Sequence, residues 1–340
     1  MKFKKYFILL FVFISVISAC SKKEAQSTDI KTLEEPRNVT DNSESPLEND
    51  VMQAAGSSGV IYVNKAGLYT ETDDGKMKWT AEASLGDIAT YLGEKKEAVR
   101  TDGQKRTFFH VTLNDKVYWV QDYSYEPDTV PAFISKQDVI LYKSESLAAM
   151  TDEFIPRYTI VAVYKDSLEK TNDKFIKIAA YSPELITSWL VKEKYVKRDA
   201  VETSAESVEA MILAQVAMES KNDTIRTELF QNAIEIDSPY RDSIAFLQSL
   251  AEILIQEENF MKELSTEKIN EKVTALEDLN LLSIPDIDAA RTVNMLKAGS
   301  TATASRKYLK NAESSESEEE WLYIQNKQKK GWVQATSIKK

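Results

Sequence analysis

The sequence predicts a multidomain, mainly β protein with one α-helical segment inserted late in the chain. Short runs of β-branched and aromatic residues, separated by turn-forming residues, extend from Val60 to about Asp199 and favour strands. Apolar residues then recur every three or four positions, which is the spacing of a helix. Strand signals return at Leu279 and continue to the end of the sequence.

The first residues have the character of an export signal. Three lysines within the first five residues precede an apolar run over 6–17, which is too short to remain in a bilayer as a span. The following Ile17-Ser18-Ala19-Cys20 resembles the lipobox of bacterial lipoproteins, with Ile17 where leucine is commonest. This resemblance implies a signal peptide over 1–19, cleavage before Cys20, and attachment of fatty acyl chains such as palmitate to Cys20. The alternative is an ordinary buried cysteine.

Net charge argues against a nucleic-acid-binding role. The 340 residues carry a formal charge of −11, and removal of residues 1–19, with three lysines and no acids, gives −14. Such a surface repels nucleic acid and offers no basic patch for anionic lipids. We therefore expect contact with the membrane through lipidated Cys20. Cys20 is also the only cysteine, so no intramolecular disulfide can form.

The stretch 20–59 predicts a lipidated, disordered tether. It is rich in Ser, Thr, Asn, Glu and Pro and has few apolar residues. Such a segment cannot bury enough surface to offset the entropy cost of ordering.

Two groups of β-type runs follow the tether. In the first group, Asn114-Asp115 lies between Phe108–Leu113 and Val117–Val120 and is typical of the tight turn of a hairpin. The second group comprises Val139–Tyr142, Tyr158–Tyr164, Lys174–Ile178 and Thr187–Val191.

The helical segment is expected over 201–275, as an α-helical hairpin or short bundle. Ser238 is expected to cap a third helix, with Pro239 at the first helical position. Residues Glu228–Tyr240 are similar to the second helix of a tetratricopeptide repeat and the turn after it. A single repeat cannot bury its own face, so a hairpin packed on the flanking domains is the preferred interpretation.

The C-terminal stretch contains four motifs in a fixed order: Leu279–Pro285, Val293–Gly299, Trp321–Ile324 and Gly331–Val333. They resemble the bacterial SH3 domain, whose pattern is an LNVRxxP opening, a strand ending in LxxG, a WxxV strand and a closing GWV turn. The resemblance implies a small β-barrel over 276–340. In such a barrel Gly299 would permit a turn and Trp332 would cover one end of the core. Leu282 stands where the family has arginine, and the stretch 310–320 is long and acidic.

Two weaker copies of this pattern precede the helices. In the first copy, Phe108–Val111 and Val117–Val120 take the places of WxxV and GWV. In the second copy, Phe175–Ile178 and Ser188-Trp189-Leu190 take them. The resemblance thus implies SH3-like barrels over 60–131 and 132–200. The predicted fold class is three small SH3-like β-barrels with a helical hairpin or short bundle between the second and third.

The residues give no support to an enzyme. His110 is the only histidine, and it lies within an apolar strand, so we interpret it as structural or solvent-facing. Neither a GxSxG elbow nor an HExxH motif occurs. Bacterial SH3 domains often accompany cysteine peptidases, which need a catalytic Cys and His, but the only thiol here is assigned to lipid. We predict no catalytic residue, no cofactor and no metal ligand.

Aromatic residues are the candidates for ligand contact. A groove for peptide or sugar stacking would need them exposed, while a barrel core would bury them, and the sequence leaves this choice open. The candidates are Tyr62, Tyr69, Trp119, Tyr123, Tyr125, Tyr142, Trp189, Tyr308, Tyr323 and Trp332.

Together these features predict a lipid-anchored, non-catalytic binding protein of the bacterial cell envelope. The expected ligands are peptidoglycan stem peptides or a protein partner. The alternative is an assembly scaffold, in which the helical segment docks another envelope protein. Ser21 follows the lipidated cysteine where enteric inner-membrane lipoproteins have Asp, which favours the outer membrane.

Overall fold

The computed structural model describes residues 55–171, 173–182, 190–310, 319–327 and 329–340. Residues 52–340 form one compact unit. The predicted signal peptide, Cys20, almost all of the predicted tether, Trp189 and most of the acidic stretch 310–320 lie outside the described residues.

The described part of the chain is mainly β, with three seven-stranded antiparallel sheets and four helices. Two of the sheets form half-barrels. This confirms a multidomain, mainly β fold, and the architecture is compatible with SH3-like domains.

Sheet 1 occupies the first part of the described chain. Its strands are β1 (Ser58–Ile61), β2 (Ala66–Glu71), β3 (Met77–Ala83), β4 (Ile88–Val99), β5 (Lys105–Leu113), β6 (Lys116–Gln121) and β7 (Tyr125–Glu126).

Sheet 2 follows after two residues and includes the short helix α1 (Lys165–Glu169). Its strands are β8 (Thr129–Ile134), β9 (Val139–Tyr142), β10 (Met150–Ile155), β11 (Ile160–Tyr164), β12 (Phe175–Tyr181), β13 (Leu190–Lys197) and β14 (Val201–Glu202).

Three longer helices come next: α2 (Ala205–Glu219), α3 (Asp223–Glu235) and α4 (Arg241–Glu263). Asn222 caps α3, because its Oδ1 accepts the Ile225 N–H at 3.1 Å. The start of α4 differs from the prediction. Ser238 Oγ accepts the Tyr240 N–H at 3.2 Å, and this turn delays the first helical residue from Pro239 to Arg241.

Sheet 3 ends the chain. Its strands are β15 (Glu267–Ala275), β16 (Leu279–Leu282), β17 (Thr292–Leu296), β18 (Thr301–Lys310), β19 (Glu319–Asn326), β20 (Lys329–Gln334) and β21 (Ile338–Lys339).

The three sheets have the same topology. When the strands of each sheet are numbered from its own first strand, all three follow the order 3-2-6-5-4-1-7. The three-fold repetition that the sequence motifs predicted is therefore also seen in the order of the strands. Each sheet also encloses its own apolar cluster, with Phe109, Ile176 and Leu322 among the buried residues of sheets 1, 2 and 3.

Two predicted boundaries are shifted. Strand β8 begins at Thr129, inside the stretch assigned to the first barrel, and pairs with β11 of sheet 2. Strand β15 lies inside the stretch 201–275 that was expected to be helical, and it pairs with β18 of sheet 3. The sequence of β15, EKINEKVTA, is dominated by polar and charged residues, so its apolar alternation is weak. The segment is a strand because it pairs with β18, although its own sequence pattern does not indicate one.

The counterpart of the GWV motif in sheet 2 was assigned to the wrong residues. Trp332 pairs with Leu282 of the second strand in sheet 3, and Trp119 pairs with Tyr69 in sheet 1. In sheet 2 the residue in this position is Tyr195, which pairs with Tyr142. Tyr195-Val196 therefore replaces the proposed Ser188-Trp189-Leu190.

The predicted hairpin turn is confirmed. Leu113 pairs with Lys116, so Asn114 and Asp115 form a two-residue turn between β5 and β6. Both have positive φ, at 50° and 60°, as a type I′ turn requires.

Candidate binding cleft at the junction of two sheets and a helix

Sheets 1 and 2 are packed directly on each other. Val60 and Tyr62 from sheet 1 form one buried apolar cluster with Ala162, Tyr164 and Ala179 from sheet 2. The Val60 N–H donates to Thr129 Oγ1 at 3.1 Å, which ties β1 to β8. The two sheets therefore present one continuous surface to the helices.

The helical segment covers this junction. Leu85 of sheet 1 and Phe133 and Ile160 of sheet 2 lie in the same buried cluster as apolar residues of α2, α3 and α4. Burial of small residues such as Ala210 and Ala214 lets α2 approach the other helices closely. The helices thus join two sheets into one body; sheet 2 flanks them in the sequence, as predicted, but sheet 1 does not.

A turn of the same geometry precedes the fourth strand of each sheet. Its third residue is Gly86, Tyr158 or Gly299, with φ of 85°, 68° and 75°. In each turn this residue donates its N–H to the last carbonyl of the first strand, at 2.8, 2.7 and 2.8 Å. A residue with positive φ at this place is the requirement of a type II turn, and glycine satisfies it at the lowest cost.

Tyr158 is the exception among the three turns. A bulky residue in the left-handed region costs on the order of 1–3 kcal/mol, and such positions persist where the surroundings determine them. The Tyr158 side chain packs against the helical cluster, and the Arg157 guanidinium lies over its ring, 4.5 Å from the centroid. The turn of sheet 2 therefore carries Tyr158, with Arg157 over its ring, where sheets 1 and 3 have glycine.

Beside this pair, a cleft of about 410 Å³ opens where sheets 1 and 2 meet α2. Its size falls within the range of small-molecule and peptide sites. Each of the three bodies contributes to its walls. The lining residues include Tyr62, Val63 and Asn64 from sheet 1, Pro156 to Ile160, Tyr181 and Ser182 from sheet 2, and Gln215 and Glu219 from α2.

Arg157 is held in one orientation at the edge of the cleft. Its Nε–H donates to the Ser135 carbonyl oxygen at 2.9 Å, while its plane lies over the Tyr158 ring. Within the described part of the chain, no carboxylate forms an ion pair with it. A guanidinium fixed through Nε still has its terminal N–H groups to offer to an incoming carboxylate.

The one carboxylate among the described lining residues of the cleft belongs to Glu219, and it accepts a hydrogen bond. Glu219 Oε2 accepts a hydrogen bond from Asn64 Nδ2 at 2.7 Å, which connects α2 to the loop after β1. Tyr62 is buried, and burial, followed by the charges of Glu126 and Asp122, raises its pKa well above the usual range. It is therefore a neutral hydrogen-bonding group at any physiological pH.

Most of the aromatic residues singled out in the sequence belong to cores. Tyr62, Tyr69, Trp119, Tyr125, Tyr142 and Trp332 are buried. Trp119 is enclosed between the stacked His110 ring, at a centroid distance of 4.2 Å, and the Lys96 ammonium, at 4.1 Å. Trp119 therefore offers no free face for ligand stacking.

The cleft uses aromatic residues that sequence reasoning did not select. Tyr158 and Tyr181 line it together with the edge of Tyr62. Tyr158 occupies the position at which the other two modules have glycine. This difference becomes visible only when the three turns are aligned through the strand pairing of their sheets.

The His110 ring stacks on Trp119 and its Nδ1 lies 3.3 Å from Glu94 Oε2, a surface contact that fits a structural or solvent-facing histidine. Among the residues that the structure describes, no group of three or more His, Cys, Asp or Glu is arranged to hold a metal ion. Within the same residues, no helix combines the length and apolarity needed to cross a bilayer.

Comparison with known proteins gives little further information. No family model and no curated protein matches the chain. Two solved structures align over most of the chain. NlpC2 from Trichomonas vaginalis has 13% identity and a TM-score of 0.18, over 85% of this chain and 98% of that one. NlpC1 from the same organism has 12% identity and a TM-score of 0.17, over 86% and 98%. Scores this low carry no argument about fold or activity.

Proposed function

We propose that this chain is a lipid-anchored, non-catalytic binding protein of the bacterial cell envelope, whose SH3-like modules hold peptidoglycan peptides. The junction cleft is the observation that carries the binding part of the proposal. Ligand sites occur preferentially where domains meet, and this cleft combines aromatic walls with amide, hydroxyl and guanidinium groups. Such a lining suits the alternating amides and carboxylates of a peptide.

The anchor rests on the residues around Cys20. Lipidation would place the folded unit at a membrane surface, at the end of a tether of about forty residues. Growth of an expressing bacterium with labelled palmitate should label the wild-type chain and leave Cys20→Ser unlabelled. Labelling of the serine variant would mean that the lipid is attached elsewhere. Absence of label on the wild type would end the lipoprotein assignment.

Wall binding is tested with residues 52–340, which form a compact unit. Incubation with purified cell wall, at low and at moderate salt, should retain this fragment in the pellet. The matched controls are an unrelated acidic protein and wall from which the stem peptides have been removed by an amidase. Loss of retention on the amidase-treated wall would assign binding to the peptides. No retention on intact wall would end the peptidoglycan version.

The second candidate is an assembly scaffold with the helical segment as its docking surface. Phe246 on α4 is 60% exposed, and Ile253 and Leu254 on the same helix are partly exposed, which favours a partner on this side. Deletion of the helices would uncover Leu85, Phe133 and Ile160, so it cannot separate docking from folding. Point substitution is the sharper test.

Phe246→Ser and Ile253→Ser should keep the melting temperature of the fragment near that of the wild type. If the scaffold role holds, these variants of the full chain should lose a cross-linked envelope partner while their wall retention survives. Unchanged cross-linking would remove the scaffold role. Fractionation of the two membranes of the expressing cell tests the outer-membrane assignment separately.

A further inference from the structure

The turn before β11 separates two clefts. Pro156, Arg157 and Tyr158 line both the junction cleft and a second cleft of about 670 Å³ on the side of α4. The Arg157 guanidinium is therefore available to a ligand from either side. What distinguishes the two sides is their charge.

The second cleft is unfavourable for an anion. Its lining includes Asp138 and Asp242, and neither has an ion-pair partner in the described parts of the chain. The junction cleft has one carboxylate among its described lining residues, Glu219, against two in the second cleft, and Glu219 accepts a hydrogen bond from Asn64.

The geometry points to the junction cleft as a receptor for the free carboxylate of a short peptide, with Arg157 as the carboxylate-binding residue and Tyr158 as its platform. The choice of a peptide as carrier of the carboxylate rests on the proposed function. A planar guanidinium held through Nε presents its remaining donors to a carboxylate in a fixed orientation. Gln215 supplies an amide group for the peptide backbone, and Tyr181 supplies an aromatic wall.

The backbone conformation of Tyr158 agrees with this role. In the equivalent turns of sheets 1 and 3, Gly86 and Gly299 donate the same backbone hydrogen bond to the end of the first strand, and neither has a side chain. Positive φ strains the backbone of a tyrosine, whereas its ring lies under the Arg157 guanidinium and supports it. Packing on the helices does not by itself require a tyrosine at this position. At the equivalent position of sheet 1, Gly86 has no side chain and the Ile212 side chain of α2 fills the space above it.

The test uses residues 52–340 and two labelled tripeptides, fluorescein-Gly-Ala-Ala with a free C-terminal carboxylate and the same peptide as its C-terminal amide. Fluorescence anisotropy should show that the acid binds about tenfold more tightly than the amide, a difference of about 1.4 kcal/mol. Arg157→Gln should abolish this preference and Arg157→Lys should restore part of it. Arg306→Gln is the matched control, since Arg306 lies over Tyr323 in sheet 3 at 6.0 Å, far from the cleft lining.

Tyr158→Asn separates the ring from the backbone conformation, because asparagine accepts positive φ but provides no ring. It should weaken binding of the acid more than binding of the amide, because Tyr158 lines the cleft for both peptides but supports the Arg157 guanidinium only for the carboxylate. Equal binding of acid and amide by the wild type would overturn the inference, and so would an acid preference that survives Arg157→Gln. Displacement of the acid by inorganic phosphate at similar concentration would assign a general anion site and would also overturn it.

Failure of this inference is distinguishable from failure of the proposed function. If the fragment is retained by cell wall but binds the acid and the amide peptides equally, only the role of Arg157 is refuted. An acid preference without wall retention would remove the peptidoglycan proposal and leave a carboxylate receptor.

Discussion

Glu257 on α4 and Arg291 before β17 form a two-point ion pair that fastens sheet 3 to the helical segment. Arg291 Nη2 lies 2.7 Å from Glu257 Oε2, and its Nε lies 3.0 Å from Oε1. Ser283 completes the contact, donating its hydroxyl to Glu257 Oε1 at 2.6 Å and accepting the Arg291 N–H at 2.9 Å. Glu257 is only 8% exposed. The contact couples the last sheet to the body formed by the first two.

Glu257→Gln is therefore expected to loosen sheet 3. The substitution removes the charge of a nearly buried carboxylate and leaves Arg291, which is partly exposed, without its partner. We expect a loss of about 2 kcal/mol in the free energy of unfolding, measured by urea denaturation. Lys262→Gln, which breaks the exposed Glu258–Lys262 pair on the same helix, is the control and should cost less than about 0.5 kcal/mol. Equal losses in the two variants would contradict a special role for Glu257.

The same contact predicts a pH dependence. Burial raises the pKa of Glu257, but hydrogen bonds from Arg291 and Ser283 outweigh it, so the pKa of the folded state lies below the usual value of 4.5. A depressed pKa gives a stabilisation that is fully present above about pH 4.5 and is lost as the pH falls through the folded-state pKa. The difference in unfolding free energy between wild type and Glu257→Gln should be constant near neutrality and shrink in acid. A difference that stays constant down to pH 3 would refute this assignment.

A pair of glycine substitutions isolates the contact between sheet 1 and α2. Gly86 and Gly299 have similar positive φ, but a Cβ on Gly86 would collide with Ile212 Cδ1, whereas a Cβ on Gly299 meets nothing within 4 Å. Gly299→Ala should cost about 1 kcal/mol for the backbone alone. Gly86→Ala should cost more, by up to about 1 kcal/mol, since the end of the Ile212 side chain must change its rotamer or shift.

Ile212→Val tests the cause of that extra cost. Valine lacks the Cδ1 atom that the new methyl group would meet. Adding Ile212→Val to Gly86→Ala should recover part of the extra destabilisation in urea denaturation, although Ile212→Val alone is destabilising. Additive losses would mean that the backbone conformation accounts for the whole effect.

The contact between sheets 1 and 2 contains a buried charge. Lys192 Nζ on β13 lies 3.0 Å from Glu126 Oε2 on β7, and only 7% of the Glu126 side chain is exposed. Lys192→Met should cost about 2–3 kcal/mol in unfolding free energy, because it leaves a buried carboxylate unpaired. Adding Glu126→Gln should recover at least half of the loss.

Lys136→Met is the control for that experiment. It breaks the exposed Lys136–Asp199 pair on sheet 2 and should cost less than about 0.5 kcal/mol. If the double variant Glu126→Gln/Lys192→Met is less stable than Lys192→Met alone, the account of an unpaired charge is wrong.

The sequence alone was sufficient for features that depend on near neighbours along the chain. The tight turn at Asn114-Asp115 follows from two residues that tolerate positive φ between two β-type runs. The helices at 205–263 follow from apolar spacing, and the mainly β remainder follows from β-branched and aromatic runs. The repetition read from Trp321 and Gly331-Trp332-Val333 corresponds to a shared strand order.

Where local signals were weak, only strand pairing decided the outcome. Strand β15 carries mostly charged residues and was assigned to the helices, and Tyr195 was missed as the counterpart of Trp332. Register is set by contacts across a sheet, and short motifs without a glycine or tryptophan give too little information to fix it.

The candidate cleft belongs entirely to tertiary structure. Asn64, Arg157 and Gln215 come from a loop, a turn and a helix that are far apart in sequence, and they meet because α2 packs over the junction of two sheets. The sequence by itself determined which segments become strands or helices and that the strands recur as modules, because these properties depend on local spacing. Only the packing of those modules decided which tyrosines are buried and where a guanidinium is left facing a cleft, because burial depends on what lies on the other side of each surface.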